Sequence, residues 1–240
     1  MTISPLVPLL PLRAAGRMIS DLVFPPACIS CNAPLAHGGE LTCSRCRVAM
    51  REVDEWDERY RAALGDLASG GAIAGFVAAW YFEEGGPVQS LVHALKYDGM
   101  TGVGTVLGKA LGERIRGAGY AGADLVVPLP LHPVRMRERG FNQAGCIARG
   151  VSAVTGVPPG LGLVRRARPT RSQTALRDVE RRANTRGAFG PGRRAARAAG
   201  ASILLVDDVV TTGATMCACA AALRAAGARS VIACAAALAR

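Results

Sequence analysis

With 240 residues, half of them hydrophobic and 20% charged, the chain is long enough to bury a core and falls outside the intrinsically disordered class. Its formal net charge of +11 rests almost wholly on arginine, since Lys96 and Lys109 are the only lysines; this suits polyanions, although an aromatic content of 5% leaves few stacking platforms for nucleic acid. No apolar run reaches the length of a membrane-spanning helix, so a soluble protein is expected, and cysteines in apolar contexts that read as reduced point to the cytoplasm.

The opening stretch from Pro5 to Leu12 is apolar but short, is broken by Pro5, Pro8 and Pro11, and lacks a basic segment before it, so it does not fit a secretory signal. Leu12, Ala15, Ile19, Leu22 and Val23 recur at helical spacing, and Pro25-Pro26 ends that helix. Cys28-Ile-Ser-Cys31 and Cys43-Ser-Arg-Cys46 follow, two C-x-x-C pairs separated by eleven residues. Four thiolates at this spacing close a tetrahedral shell around one Zn²⁺, with sulfur about 2.3 Å from the metal. His37 lies between the pairs as a competing ligand. A closed shell is structural, because catalytic zinc needs an open position. Redox C-x-x-C chemistry is the weaker alternative, since no βαβ pattern precedes either pair. Cys146, Cys217, Cys219 and Cys234 sit in Ala-rich or apolar contexts and read as reduced core thiols.

Arg51 to Leu67 is helix-prone and is broken by Ser69-Gly70-Gly71; Ile73 to Phe82 reads as a strand or hairpin. Pro87 opens a helix carrying Val88, Leu91, Val92 and Leu95, which ends at Lys96-Tyr97-Asp98-Gly99. A second helix spans Val103 to Arg116. Its Gly104-Thr-Val-Leu-Gly108-Lys109-Ala110 is one residue short of a Walker A loop and lacks the Ser or Thr after Lys, while Gly102-Val-Gly104 misplaces the third glycine of a dinucleotide fingerprint. Asp124 to Leu129 is an apolar strand, and Gly140 to Thr155 a helix. Between Leu161 and Gly200 stand eleven arginines against Asp178 and Glu180, which fits binding of pyrophosphate or nucleic acid, or a composition biased toward Arg, Ala and Gly.

The most informative stretch comes last. Ala201 to Val206 is short, apolar and β-branched, an interior strand of a parallel sheet. It runs into Asp207-Asp208 and then Thr211-Thr212-Gly213-Ala214-Thr215, where a helix begins that stops at Gly227; Ser230 to Leu238 is a final strand. Free N–H groups at a helix start, together with Thr hydroxyls and a glycine that permits close approach, suit a phosphate. Two carboxylates beside that cradle suit vicinal hydroxyls or a divalent cation, hence a sugar phosphate. The alternation of strands and helices gives an α/β domain, a parallel sheet covered by helices with its ligand at the carboxyl ends of the strands.

At these residues the chain resembles the phosphoribosyltransferases, whose fingerprint is an apolar strand, an acidic pair and a Thr-Thr-Gly-x-Thr loop. The resemblance implies that Asp207 and Asp208 hold the ribose hydroxyls of phosphoribosyl pyrophosphate, with Mg²⁺, and that Thr211, Thr212, Gly213, Ala214 and Thr215 hold its 5′-phosphate. It narrows over His93-Ala-Leu-Lys96-Tyr97-Asp-Gly, Val127-Pro-Leu-Pro-Leu-His132-Pro-Val-Arg135-Met-Arg137-Glu-Arg139-Gly140-Phe141-Asn142-Gln143, Arg168-x-Thr170-x-x-Gln173 and Arg181-x-x-Asn184-x-x-Gly187-Ala-Phe189. In this order, behind the two cysteine pairs, the blocks resemble the ComF family. That implies a type I phosphoribosyltransferase fold over residues 53–240 after a helix and four-cysteine zinc module over 1–52, and an association with natural DNA transformation. By analogy the loop after Pro130 takes pyrophosphate, with Arg135, Arg137 and Arg139 as donors; Lys96, Arg168, Gln173 and Arg177 are further pyrophosphate or lid candidates. Several local alternatives stay open: Asn142 and Gln143 as helix caps, His132 as a packed turn residue, Lys96 as a helix-terminal charge, and the Arg168 to Arg186 region as a basic linker. Two function classes follow: a transferase that passes phosphoribose to an unidentified acceptor with pyrophosphate release, or a non-catalytic competence factor that binds single-stranded DNA or a partner ATPase or helicase.

Overall fold

The computed structural model describes residues 26–35, 40–167 and 187–239. The expected helix over Leu12 to Val23, and His37, Arg168, Gln173 and Arg177, lie outside these residues. Four strands form a parallel sheet in the order β1 (Gly75–Tyr81), β6 (Ser230–Leu238), β5 (Ser202–Val210) and β2 (Leu125–Pro128). Their sequences are apolar on both faces because helices cover both. On one face Phe76, Leu125, Ile203, Leu205 and Val231 pack against α2 (Glu58–Ala68) through Tyr60 and Leu67, and against α7 (Ala214–Ala225) through Met216 and Leu223. On the other, Val77, Val126, Leu204, Val206 and Ile232 pack against Leu95 of α3 (Pro87–Tyr97), Leu107 and Leu111 of α4 (Thr101–Gly117), and Ile147 and Val151 of α6 (Gln143–Thr155). Complete burial of Leu204 and Leu205 contributes about 1.5–3 kcal/mol each. No helix among the described residues is long and apolar enough to cross a membrane.

Two expected boundaries shift. The helix expected over Gly140 to Thr155 is preceded by a separate short one, α5 (Pro133–Arg139), which ends where Gly140 turns left-handed at φ 75°, and α6 starts only after Asn142. The last-but-one strand runs to Val210 rather than stopping at Val206, because backbone pairing of Asp207 with Ala235 and of Val209 with Ala237 holds the polar residues in the ladder.

Both edges of the sheet are covered by extended chain. Val53 N–H donates to Ala79 and Tyr81 N–H to Arg51, so residues 51–53 lie along β1. At the other edge Val126 N–H donates to Pro158, and Gly160 N–H donates back to Val126. The cysteine module, which includes α1 (Ser44–Val48), leans on the face that holds α3: Ile29, Leu41 and Met50 pack against its apolar cluster. An antiparallel pair, β3 (Val164–Arg166) and β4 (Phe189–Pro191), lies apart from the main sheet.

The glycines of the failed Walker and dinucleotide patterns have a packing role. Gly104, Gly108 and Gly112 recur every four residues on α4 and face α6, so the two helices meet almost backbone to backbone. A Cβ at Gly104 would sit 2.5 Å from Cys146 Cβ and one at Gly112 2.9 Å from Val154 Cβ, while one at Gly108 would run into the Ile147 carbonyl. Gly150 of α6 returns the contact against Thr105 and Lys109. Gly108→Ala should destabilise the protein by about 1–3 kcal/mol or more, despite the higher helix propensity of alanine. Gly117→Ala, which meets nothing within 4 Å, is the control, and urea denaturation of the two variants checks the contrast.

Candidate functional site

The carboxyl ends of β5 and β2 open into a cleft of about 780 Å³, lined by Lys96, Arg135, Arg139, Gln143, Arg166, Asp207, Asp208 and residues 211–215 among others. The extension of β5 sets the acidic pair on the strand, and the two side chains diverge. Asp208 is buried and pairs with Lys96, Oδ2 to Nζ 3.1 Å, and its Oδ1 accepts from Val209 N–H at 2.7 Å. Asp207 Oδ1 accepts from Asp208 N–H at 2.8 Å. Although Asp207 keeps some solvent exposure, withdrawal from bulk water and then the charge of Asp208 push its carboxyl up to about 7, against the opposing pull of Lys96 and Arg166.

The turn after β5 requires its glycine twice over. Gly213 is left-handed at φ 73°, and a Cβ there would lie 2.5 Å from Leu67 Cδ2. Behind it α7 begins, with no acidic residue in its first turn, so its free N–H groups face the cleft beside Thr211, Thr212 and Thr215. Thr212 Oγ1 accepts from Ala214 N–H at 3.5 Å, which ties the loop to the helix start.

The opposite wall is basic. Arg135 and Arg139 of α5 line it, whereas Arg137 does not. Arg139 stands 5.5 Å over the exposed Tyr97 ring, which packs against His93 at 4.6 Å. Lys96 is thus both the last-turn cation of α3 and the partner of Asp208. Asn142 caps α6, its Oδ1 accepting from Ala144 N–H at 3.1 Å and its Nδ2 donating to Leu129 at 3.0 Å. His132 likewise caps α5 through Nδ1, 3.3 Å from Val134 N. Gln143 is not a cap; it occupies the first position of α6, is 2% exposed, and its Nε2 has no hydrogen-bond partner.

Arg166 is the cleft residue that sequence reasoning passed over. It was one arginine in a run, and only the pairing of β3 with β4 turns it toward Asp207, whose charge acts on the desolvated guanidinium. Strand alternation across so short a segment offered no signal.

Away from the cleft, the sulfurs of Cys28, Cys31, Cys43 and Cys46 all lie within 4.8 Å of one another. Zinc–sulfur bonds of about 2.3 Å in a tetrahedron put sulfurs about 3.8 Å apart. The Cys31 and Cys43 sulfurs are 3.7 Å apart, so the donor set fits one Zn²⁺. The first knuckle is shaped by Asn32, left-handed at φ 59°, whose N–H donates to Cys28 at 2.8 Å. Burial resists ionisation of Cys28, yet N–H donors at Cys43, Cys31 and Ser30 outweigh it and draw the thiol down to about 6. Burial dominates at Cys46, which rises to about 12, and the nearby Cys31 sulfur favours the charged form of Arg45.

A family model described as phosphoribosyl transferase domain matches residues 139–240. "Competence protein F" of Haemophilus influenzae is 29% identical over 142 residues, covering 54% of this chain and 58% of that protein's length. "DNA utilization protein YhgH" of Salmonella typhimurium is 27% identical over 193 residues, 79% of this chain and 74% of that protein. Together these matches support a phosphoribosyltransferase-like protein of the ComF kind. A solved structure titled glutamine phosphoribosylpyrophosphate amidotransferase from B. subtilis is 22% identical over 55% of this chain and 26% of its own, with a TM-score of 0.37, too low to bear on the fold. The phosphoribosyl transferase match takes in Arg139, Gln143, Arg166, the acidic pair and the Thr-Gly loop, while Lys96, Arg135 and the four cysteines of the amino-terminal module lie outside it.

Proposed function

We propose that the cleft binds phosphoribosyl pyrophosphate and transfers its phosphoribosyl group to an acceptor, releasing pyrophosphate. The observation that carries this reading is the run of β5 through two divergent carboxylates into a left-handed glycine and the open start of a helix, all facing one cleft. The α7 start and Thr211, Thr212 and Thr215 hold the 5′-phosphate. Asp207 and Asp208 accept from the ribose hydroxyls, and Arg135, Arg139 and Lys96 face the pyrophosphate. Arg137, Arg168, Gln173 and Arg177 stay candidates for closing on it. In the reaction the C1–oxygen bond to pyrophosphate breaks, a bond from C1 to the acceptor's lone pair forms, and the acceptor loses its proton. Guanidinium groups stabilise the departing anion. Two carboxylates with a diphosphate form the oxygen donor set that suits Mg²⁺, which when bound neutralises the leaving group. On this reading residues 53–240 are the phosphoribosyltransferase domain and residues 1–52 a module built on structural Zn²⁺. Incubation with phosphoribosyl pyrophosphate, Mg²⁺ and a panel of bases and amines, followed by pyrophosphate release, tests turnover.

The raised carboxyl of Asp207 gives the binding step a pH signature. Hydroxyl and cation contacts need the carboxylate, so affinity should rise with pH up to about 7 and level off above it. Asp207→Asn removes this part of the profile, while titration of the ligand's own phosphates remains. For the empty protein the sign reverses: stability from the neutral carboxyl is complete below the ordinary carboxylate range and is lost as pH rises through about 7. Calorimetric affinity and chemical denaturation from pH 5 to 9 read the two trends; parallel slopes in both would refute the assignment.

The relatives' names favour a second reading, in which the same fold serves DNA uptake without turnover, by contact with single-stranded DNA or a partner ATPase or helicase. A cleft that binds phosphoribosyl pyrophosphate but releases no pyrophosphate with any acceptor in the panel would select it.

A further inference from the structure

The cleft receives two helix starts. That of α7 belongs to the loop after the acidic pair. That of α6 carries a buried amide with no partner: Gln143 is 2% exposed, and its Nε2 lacks a hydrogen bond although the residue lines the cleft. An orphan buried donor forgoes its hydrogen bonds to water with nothing in return, so a fold that keeps one either wastes stability or reserves the donor for a ligand.

The surroundings specify what that ligand carries. Asn142 Oδ1 satisfies the N–H of Ala144, which leaves the Gln143 and Gly145 N–H groups as the unbonded donors of the first turn. That turn holds no acidic residue, and Arg135 and Arg139 line the same cleft. Amide, helix start and guanidinium groups are all donors, so this wall selects an anionic oxygen. The acidic wall across the cleft excludes the same group.

We propose that Gln143 is a specificity-determining residue, whose Nε2 donates to an oxygen of the diphosphate at C1 and so separates a sugar bearing phosphates at both ends from a sugar monophosphate. This rests on the phosphoribosyl pyrophosphate reading of the cleft. Gln143→Met keeps the length and apolar stem but removes the donor; Gln143→Glu keeps the shape and replaces the donor with a charge.

Calorimetry of the full chain with phosphoribosyl pyrophosphate and, separately, ribose 5-phosphate, each with Mg²⁺, decides the matter. Gln143→Met should weaken the diphosphate ligand about tenfold and Gln143→Glu about a hundredfold, in line with loss of a charge-assisted hydrogen bond and with added repulsion, while ribose 5-phosphate changes by less than about threefold for both. The empty Gln143→Met protein should melt no lower than the wild type, since it loses an unsatisfied donor. A donor that serves only packing would give the opposite pattern, with a lower melting temperature and unchanged discrimination, and would overturn the proposal. Equal loss of both ligands would overturn it as well. A wild type that binds neither ligand overturns the reading of the cleft and this inference together, whereas a wild type that binds both with unchanged Gln143 variants sinks this inference alone.

Discussion

Cys28→Ser and Cys43→Ser should each release the metal and unfold the amino-terminal module. A structural four-cysteine zinc contributes an apparent ~10–16 kcal/mol in small fingers, whereas whole domains are stable by only about 5–15 kcal/mol. Among the described residues the module's own core holds little more than Cys28, Leu35 and Cys46, which gives it little to compensate with. Metal analysis should find close to one zinc per wild-type chain and almost none in the variants, and amide exchange over residues 40–50 should reach the rate of unfolded chain. Wild-type protein purified without chelator that holds less than about half an equivalent of zinc would count against the site.

Asp207→Asn combined with Asp208→Asn should weaken phosphoribosyl pyrophosphate by at least about tenfold, because hydrogen bonds to charged groups contribute about 1.5–3 kcal/mol each. Removal of the Asp208 charge also strands the Lys96 ammonium, half-buried beside it, so a lower melting temperature is expected in the double variant. Addition of Lys96→Met should recover part of that stability without recovering affinity. Equal affinity in the wild type and the double variant, measured by calorimetry, removes the ribose contacts from the reading.

The sheet was legible because its strands are buried on both faces and therefore read as unbroken apolar runs, as in Ile203 to Val206. Where β5 stops was not legible. Asp207 and Asp208 end the apolar run, and only the ladder to Ala235 and Ala237 carries the strand onward. Gly140 closes α5 rather than opening α6: its left-handed turn, with its N–H donating to Met136, is a local helix-stop signal that the apolar pattern running on to Thr155 obscures. The glycines of α4 were weighed as a phosphate loop and set aside; their spacing of four, which marks one face of a helix, was the readable sign of a close helix contact. At the site, the acidic pair and the Thr-Gly loop at the end of β5, Lys96 in the last turn of α3, and Arg135 and Arg139 on α5 line one cleft. Arg166 and the orphan amide of Gln143 depend on distant pairing and burial, which no local pattern encodes.

The chain laid along β1 links metal to solubility. Residues 51–53 leave the cysteine module and pass directly onto the outer edge of the sheet, where they take up hydrogen bonds of Ala79 and Tyr81. If the module came loose, the backbone of a strand reading Gly-Phe-Val-Ala-Ala-Trp-Tyr would be free to pair with another molecule. Chelation should then make the protein self-associate through β-strands, at temperatures where the rest of the sheet is still folded.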